Sequence, residues 1–294
     1  MPAAVVALSD ARLAMLARTY AKALATRRRH LAIAAGILLA CVLVAAWEAE
    51  IDIAKFLGGI GNFGDYFNRL LTLDSGDRVW SDLGDWFWGI HRWLRLLWDT
   101  LLIAYLGSLV GTAGALVGCF LSSRNLVKSH SVRFVARHLL EFCRTVPDIV
   151  FALIFVASFG LGPVAGMLAI ALHTTGALGK LFSEVVENIS MMPIDGVAAS
   201  GGSWLARVRF GALPQVLSNF ASYALLRLEI NVRGATIIGI VGAGGIGQDL
   251  IVAIRQFHTS DVSAILLLIV ACVMLLDFMS ETIRHRLISL RVVA

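Results

Sequence analysis

A chain of 294 residues that is 58% hydrophobic and 15% charged, with a mean hydropathy of +0.80 and a net charge of +5, carries too little polar surface for an ordinary soluble domain. Its charges sit in a few segments between long apolar stretches, the pattern of helices that cross a bilayer with polar loops outside it. The seven histidines and four cysteines are dispersed, with no C-x-x-C or H-E-x-x-H spacing, so no metal site is expected and Cys41, Cys119, Cys143 and Cys272 read as small buried hydrophobes.

Residues 1–30 hold six Lys/Arg against Asp10, and are expected to form a basic, partly amphipathic cytoplasmic helix near the anionic membrane surface. The run Leu31 to Trp47 follows as a retained first span, because thirty residues is too long for the n-region of a typical signal peptide; cleavage after Ala46 is the alternative. Residues 31–96 combine this span with a loop, 48–96, in which eight acids (Glu48, Glu50, Asp52, Asp65, Asp74, Asp77, Asp82, Asp85) outnumber five bases. The positive-inside bias places that loop outside the cell. Its aromatic end, Trp86, Trp88, Trp93 and Trp98 with Arg92 and Arg95, suits a helix lying in the outer interface.

Five further windows, near 97–122, 146–161, 163–182, 215–241 and 263–283, can each span the hydrocarbon, giving about six transmembrane helices, an all-α fold and both termini on one side. The segment 123–148, with five Lys/Arg against two acids, is expected as a cytoplasmic loop, and residues 286–294 as a cytoplasmic tail. Gly160-Leu161-Gly162-Pro163 permits a tight reversal between the third and fourth spans; one long broken helix is the alternative. Small residues four apart, Gly107/Gly111, Gly114/Gly118 and Gly162/Gly166, provide faces for close helix packing.

Between the fourth and fifth spans lies Asp195-Gly-Val-Ala-Ala-Ser-Gly-Gly-Ser-Trp-Leu-Ala-Arg-Val-Arg-Phe-Gly-Ala-Leu-Pro214. This segment resembles the cytoplasmic loop of ABC importer permeases, which reads E-A-A, three residues, G, then a tail ending in L-P. Asp195 stands for the Glu, Gly196 and Val197 for the two alanines, and Gly201 precedes Pro214 by the family's thirteen positions, so three family positions depart from the pattern. A second block, Leu228-Glu229-Ile-Asn231-Val-Arg233-Gly-Ala-Thr236 followed by Ile-Ile-Gly-Ile-Val-Gly242-Ala-Gly244-Gly245-Ile-Gly247, resembles the E-x-N-x-R and V-G-A-G-G-I-G region of phosphonate and methionine importer permeases. His173-Thr174-Thr175-Gly176 and Arg144-Thr145-Val146-Pro147 resemble the phosphonate branch more specifically.

That resemblance, best over about residues 97–285, implies a type I ABC importer permease fold. It implies an ATPase-coupling loop at 195–214 using Asp195, Ala198, Ala199, Gly201, Leu213 and Pro214. Pathway candidates are Glu229, Asn231, Arg233, His173 and Thr174, and gate or hinge candidates are Gly242, Gly244, Gly245 and Gly247. Implied partners are a second permease copy forming a homodimer, two cytoplasmic ABC ATPases that bind Mg-ATP, an extracytoplasmic solute-binding protein and membrane lipid, with no nucleic acid and no cofactor in this chain. The location implied is a bacterial inner membrane, multi-pass. The ligand implied is phosphonate or a related phosphorus oxyanion; another small solute such as methionine is the alternative.

From the residues alone, Glu229 and Arg233 stand four apart in the favourable order for a helical ion pair, and either line a path or lock the helix. Gly242-x-Gly244-x-x-Gly247 also fits a dinucleotide-binding G-x-G-x-x-G, but lacks the repeated βαβ units that reading needs. A stand-alone carrier finds no internal repeat. No G-x-x-x-x-G-K-[ST] is present, so ATP must be hydrolysed elsewhere and no catalytic residue is expected.

Overall fold

The computed structural model describes residues 10–50 and 52–292, and among these every regular element is a helix. The chain divides into two compact units at Asp65/Tyr66.

The first unit holds α1 (Asp10–Glu48) and most of α2 (Ile53–Leu70). The basic segment and the first span, expected as separate pieces, run as one unbroken helix, because neither glycine nor proline occurs from Asp10 to Ala35 to interrupt it. At 1.5 Å per residue α1 is about 58 Å long, roughly twice a hydrocarbon layer. Its apolar part is exposed throughout, from Ile33 through Leu39 to Val44, and Cys41 is exposed there too, contrary to its expected burial. Residues 1–9 of the expected basic segment lie outside the described residues.

The second unit comprises α3 (Leu83–Trp86), α4 (Ile90–Ser122), α5 (His130–Thr145), α6 (Asp148–Phe159), α7 (Pro163–Glu187), α8 (Met192–Ala199), α9 (Trp204–Ala206), a π-helical turn (Arg207–Ala212), α10 (Leu213–Ile240), α11 (Ile246–Arg255) and α12 (Thr259–Val292). Among the described residues four helices are long and apolar enough to cross a membrane: α1, α4, α7 and α12 over Thr259–Ile283. The other two expected spans differ in kind. α10 has the length, but Arg227, Glu229 and Arg233 interrupt its apolar run. α6 alone is only 12 residues, about 18 Å. It is preceded by α5, which occupies the segment expected as a basic loop.

α5 and α6 run antiparallel along α7: Leu140 packs on Gly179, the Cys143–Arg144 backbone on Gly176, and Val146 opposite His173. The break between them falls at Val146-Pro147, since proline cannot donate to the preceding turn and keeps the residue before it extended. Between α6 and α7 the chain reverses as expected. Gly160 and Gly162 take φ of 89° and 149°, and Pro163 opens α7. The expected tail beyond 285 continues α12 to Val292.

α4 and α7 meet along a seam of small residues. A Cβ at Gly107 would lie 2.8 Å from Ile170 Cγ2, at Gly111 2.6 Å from Thr174 Cβ, and at Gly114 2.7 Å from Thr175 Oγ1. Gly118 instead receives Leu140 of α5, and Gly166 receives Ala243. Close backbone approach of this kind replaces the hydrophobic drive that lipid removes between membrane helices. Three buried clusters follow α4 along its length: one around Trp93, Leu97, Ile246 and Ile265, one around Ile103, Ile170, Val232 and Ile238, and one around Cys119, Phe182, Val216 and Phe220.

Of the four tryptophans expected in an outer-interface helix, Trp98 and Trp88 are exposed, and three are tied to other elements. Trp93 is buried, Trp86 Nε1 donates to Ser263 Oγ at 3.0 Å, and Trp88 Nε1 to Asp261 Oδ1 at 2.9 Å, while Arg92 pairs with Asp249 at 2.7 Å.

Candidate functional site

The expected functional residues fall into three groups along α10. Its 28 residues hold the first and last about 42 Å apart.

At its start lies the expected coupling segment. α8 ends in a Schellman cap: Gly202 N donates to Val197 O at 2.9 Å, Gly201 N to Ala198 O at 3.0 Å, and Gly201 takes φ +80°. Gly201 is thus needed for its backbone conformation, and nothing lies within 4 Å of where its Cβ would be. Asp195, Gly196, Ala198 and Ala199 are exposed, as is Met192, so α8 presents an open face of small side chains with one carboxylate. Its other face is anchored. Ile194 is buried over Gly211, where a Cβ would meet Ile194 at 2.9 Å. Leu213 and Pro214 form the first turn of α10.

Gln215 fixes the entry to α8. Its Oε1 accepts from Ser190 N, and its Nε2 donates to Ser190 O, both at 3.1 Å, and to Gly211 O at 2.7 Å. Trp204 Nε1 donates to Leu126 O at 3.1 Å, Asn125 Nδ2 to Val186 O at 2.7 Å, and Arg137 pairs with Glu187 while its Nε donates to Ser122 O. This end of the helix bundle is therefore cross-tied from α4 through α5 and α7 to the coupling segment. A pocket of about 450 Å³ opens beside it, lined by Glu184, Asn188, Gln215, Asn219 and Tyr223 among others.

The middle of α10 carries two separate polar groups. Asn231 Nδ2 donates to Ser108 Oγ at 2.7 Å and Thr174 Oγ1 at 2.8 Å, and all three residues are buried. Two of the expected pathway residues, Asn231 and Thr174, thus close on each other and join α10, α4 and α7. His173 turns the other way. Its Nδ1 lies 3.0 Å from Val146 O, so it donates there and satisfies the carbonyl freed at the α5–α6 break.

Arg233 and Glu229 do form the expected pair, at 2.7 Å, but Asp277 of α12 completes it, its two carboxylate oxygens at 2.9 and 2.8 Å from the same Arg233 nitrogen. One guanidinium between two carboxylates leaves a net negative cluster. Arg227, six residues earlier on α10, is far less engaged. Its Nε is buried with no hydrogen-bond partner among the described residues, and the acid acting on it is Asp148 at the start of α6.

At the far end of α10 the glycine block is a packed turn. Gly242, Gly244 and Gly245 take φ of 91°, 89° and 82°. Ile246 N donates to Thr100 Oγ1 at 2.9 Å, and Gly162 N to Gly242 O at 3.0 Å, bringing α4 and the α6–α7 reversal onto the turn. A Cβ at Gly245 would overlap Thr100 Oγ1, and one at Gly247 would overlap Thr236 O. No strand feeds the turn, so the dinucleotide reading of G-x-G-x-x-G fails on its context.

Residues 111–289 match the family described as binding-protein-dependent transport system inner membrane component. The chain is 36% identical over 249 residues to the phosphite transport system permease protein PtxC of Stutzerimonas stutzeri, covering 84% of this chain and 86% of that one. The chain belongs to the binding-protein-dependent inner membrane component family. This permease is also 48% identical over 122 residues to the putative cryptic phosphonate transport system permease protein PhnE2 of Escherichia coli K12, covering 42% of this chain and all of that one. It is 30% identical to the phosphate-import permease protein PhnE of Mycolicibacterium smegmatis over 84% of this chain and 44% of the relative. Among solved structures, the permease fold is shared with the inward-facing MetNI methionine ABC transporter, at a TM-score of 0.59 and 19% identity over 66% of this chain and 95% of that one.

The permease is an inner-membrane, multi-pass transport component, and its fold is the type I importer permease fold expected from the sequence. Sequence reasoning missed Asp277, the approach of Asp148 to Arg227, Gln215 and Ser108. Asp277 is the lone acid in an otherwise apolar stretch of α12, Cys272 to Ser280, and an intramembrane carboxylate is itself a signal for a cationic partner. Ser108 offers no such signal, because serine in a glycine-rich helix reads as packing.

Proposed function

We propose that this permease forms the membrane pathway of an ATP-driven importer for phosphonate or a related phosphorus oxyanion such as phosphite. The observation that carries this is the 36% identity to a phosphite permease over most of both chains, joined to an exposed, capped α8 on which a separate ATPase can act. In this reading two copies pair as a homodimer and two ATPase subunits that bind Mg-ATP grip the α8 faces through Asp195, Ala198 and Ala199. A solute-binding protein delivers the ligand at the opposite side. Both termini and α8 lie in the cytoplasm, and residues 48–96 lie outside. ATP binding and hydrolysis then shift the balance between two conformers with different ligand access, and this chain does no covalent chemistry.

Within that pathway the two guanidiniums of α10 differ in readiness. Arg233 is held by Glu229 and Asp277, and it meets an anion only when a conformational change opens the cluster. Arg227 has an uncommitted donor already. A guanidinium suits the task because paired N–H donors match oxyanion geometry. Gly242, Gly244, Gly245 and Gly247 form the fixed end about which such a change is organised, and His173 couples α7 to the α5–α6 break.

The deciding experiment is reconstitution in proteoliposomes with the cognate ATPase and binding protein, measuring ATP-dependent uptake of labelled phosphite, phosphonate, phosphate and methionine. Uptake of one or more phosphorus oxyanions, with none of methionine, is expected. Methionine uptake without oxyanion uptake overturns the ligand class.

A further inference from the structure

We propose that α2 is an in-plane membrane helix, its apolar side inserted among lipid acyl chains at the bilayer surface. The 18-residue helix is strongly two-sided. Phe56, Leu57, Ile60, Phe63 and Phe67 recur at three- and four-residue spacing on one side, and Lys55, Asn62, Asp65 and Arg69 occupy the other. On that side Phe56 is 71%, Leu57 60% and Ile60 54% exposed, and a shallow groove of about 380 Å³ lined by Lys55, Phe56, Gly59, Ile60 and Phe63 runs beside them.

What covers that side follows from where the two ends of α2 are held. The apolar run of α1 ends at Trp47-Glu48. Glu50 turns the chain at φ 50°, and Asp52 Oδ1 caps the new helix by accepting from Lys55 N at 3.0 Å. Only residues 49–52 separate α1 from α2, a reach of at most about 14 Å, so α2 starts at the level where a membrane-length helix leaves the bilayer. Its last turn is fixed at a second such level. Arg69 O accepts from Thr259 Oγ1 at 3.1 Å, and Thr259 is the first residue of α12, the helix whose apolar stretch is Thr259–Ile283. Leu70 is buried beside Trp93 and Leu97 at the start of α4.

A helix of 18 residues, about 27 Å long, that begins where a span ends lies along the surface or crosses the layer. Crossing is excluded by Lys55, Asn62, Asp65 and Arg69 on one side, and α2 is not among the helices apolar enough to span. An in-plane helix instead puts that side in water and the phenylalanines in the acyl boundary, the arrangement such two-sided helices adopt. Trp47, 78% exposed, marks the same level at the end of α1.

The test uses the full chain, with Cys41, Cys119, Cys143 and Cys272 replaced by alanine, assembled with its ATPase subunits in phosphatidylcholine nanodiscs. Spin labels are placed singly at Leu57→Cys, Ile60→Cys, Asn62→Cys and Asp65→Cys, and collisions with oxygen and with a water-soluble nickel chelate are compared. Labels at 57 and 60 should favour oxygen and exclude nickel, and labels at 62 and 65 should show the reverse order. High nickel access at all four positions overturns the proposal by placing α2 in water. Low access to both reagents at 57 and 60 overturns it by showing that protein, such as a second copy, covers the apolar side.

Discussion

The two turns at the ends of α10 both depend on glycine, yet for opposite reasons. At the α8 end, Gly201 adopts a left-handed conformation with open space around it, and the exposed residues beside it are small. At the α11 end, Gly244, Gly245 and Gly247 are buried, and a side chain at Gly245 or Gly247 would strike the backbone or Thr100. One glycine shapes an exposed surface turn. The others let four segments of this chain converge on a point. Residue type alone therefore does not distinguish an open surface turn from a packing turn; the space around the missing Cβ does.

That contrast orders three substitutions by their effect on the folded permease. Gly247→Ala should have the largest effect, because the new methyl meets Thr236 O in a turn with no room to yield; overpacking of about 1–3 kcal/mol or more is expected. Abundance by fluorescence-detected gel filtration and the detergent Tm should both fall. Unchanged values would show that the turn can relax, and the contrast would collapse. Asn231→Leu comes next, since it strands Ser108 and Thr174 in the core and costs about 1–2 kcal/mol for hydrogen bonds between membrane helices. A wild-type Tm in this variant would mean that the buried knot adds nothing to helix association.

Gly201→Ala carries a backbone strain of similar size, about 1–2 kcal/mol, but it is confined to the exposed cap of α8 and should leave abundance near normal. Its effect should appear instead in coupling: weaker stimulation of the partner ATPase, and with Gly201→Leu a sharp loss of uptake. Gly202→Ala sharpens the comparison, because its Cβ would lie 2.6 Å from Val197 Cγ1 and 2.7 Å from Val197 O, so it should lower Tm more than Gly201→Ala. The reverse ranking would show that α8 is held by something other than its cap.

Much of the fold was legible because apolar runs of membrane length and glycine spacing are local signals. The end of α4, the start of α7 and the α6–α7 reversal followed from them, whereas α4 begins earlier and α7 and α12 run further than the apolar windows alone. α5 was hidden because Arg133, Arg137, His138, Glu141 and Arg144 depress its hydropathy, although Leu140 and Cys143 form its buried side. The continuity of α1 was hidden because charge was read as a boundary where only a helix breaker makes one. In the site, Glu229 and Arg233 were legible as neighbours on one helix, whereas Asp277 lies 44 residues on and reaches them only through the packing of α12 on α10. Asn231 and Thr174 show the same limit from the other side. Polar residues in a span announce that they have partners, and only the tertiary arrangement shows that the partners are each other.

The keying of α8 to α10 has a mechanical meaning. Ile194 seated over Gly211 in the π-helical turn, and Gln215 of α10 gripping Ser190 just before α8, tie the short helix to the start of the long one at two points. A linkage pinned twice has little lost motion. Tilting α8 by a few degrees cannot be absorbed as loop slack and must be passed on as rotation of α10, whose far end is clamped among α4, α7 and α11. In the proposed cycle α10 then behaves as a lever with a stiff handle and a fixed bearing: its displacement falls from the α8 end toward the glycine turn, and the stretch that carries Arg227 and the Glu229–Arg233–Asp277 cluster is carried along between them.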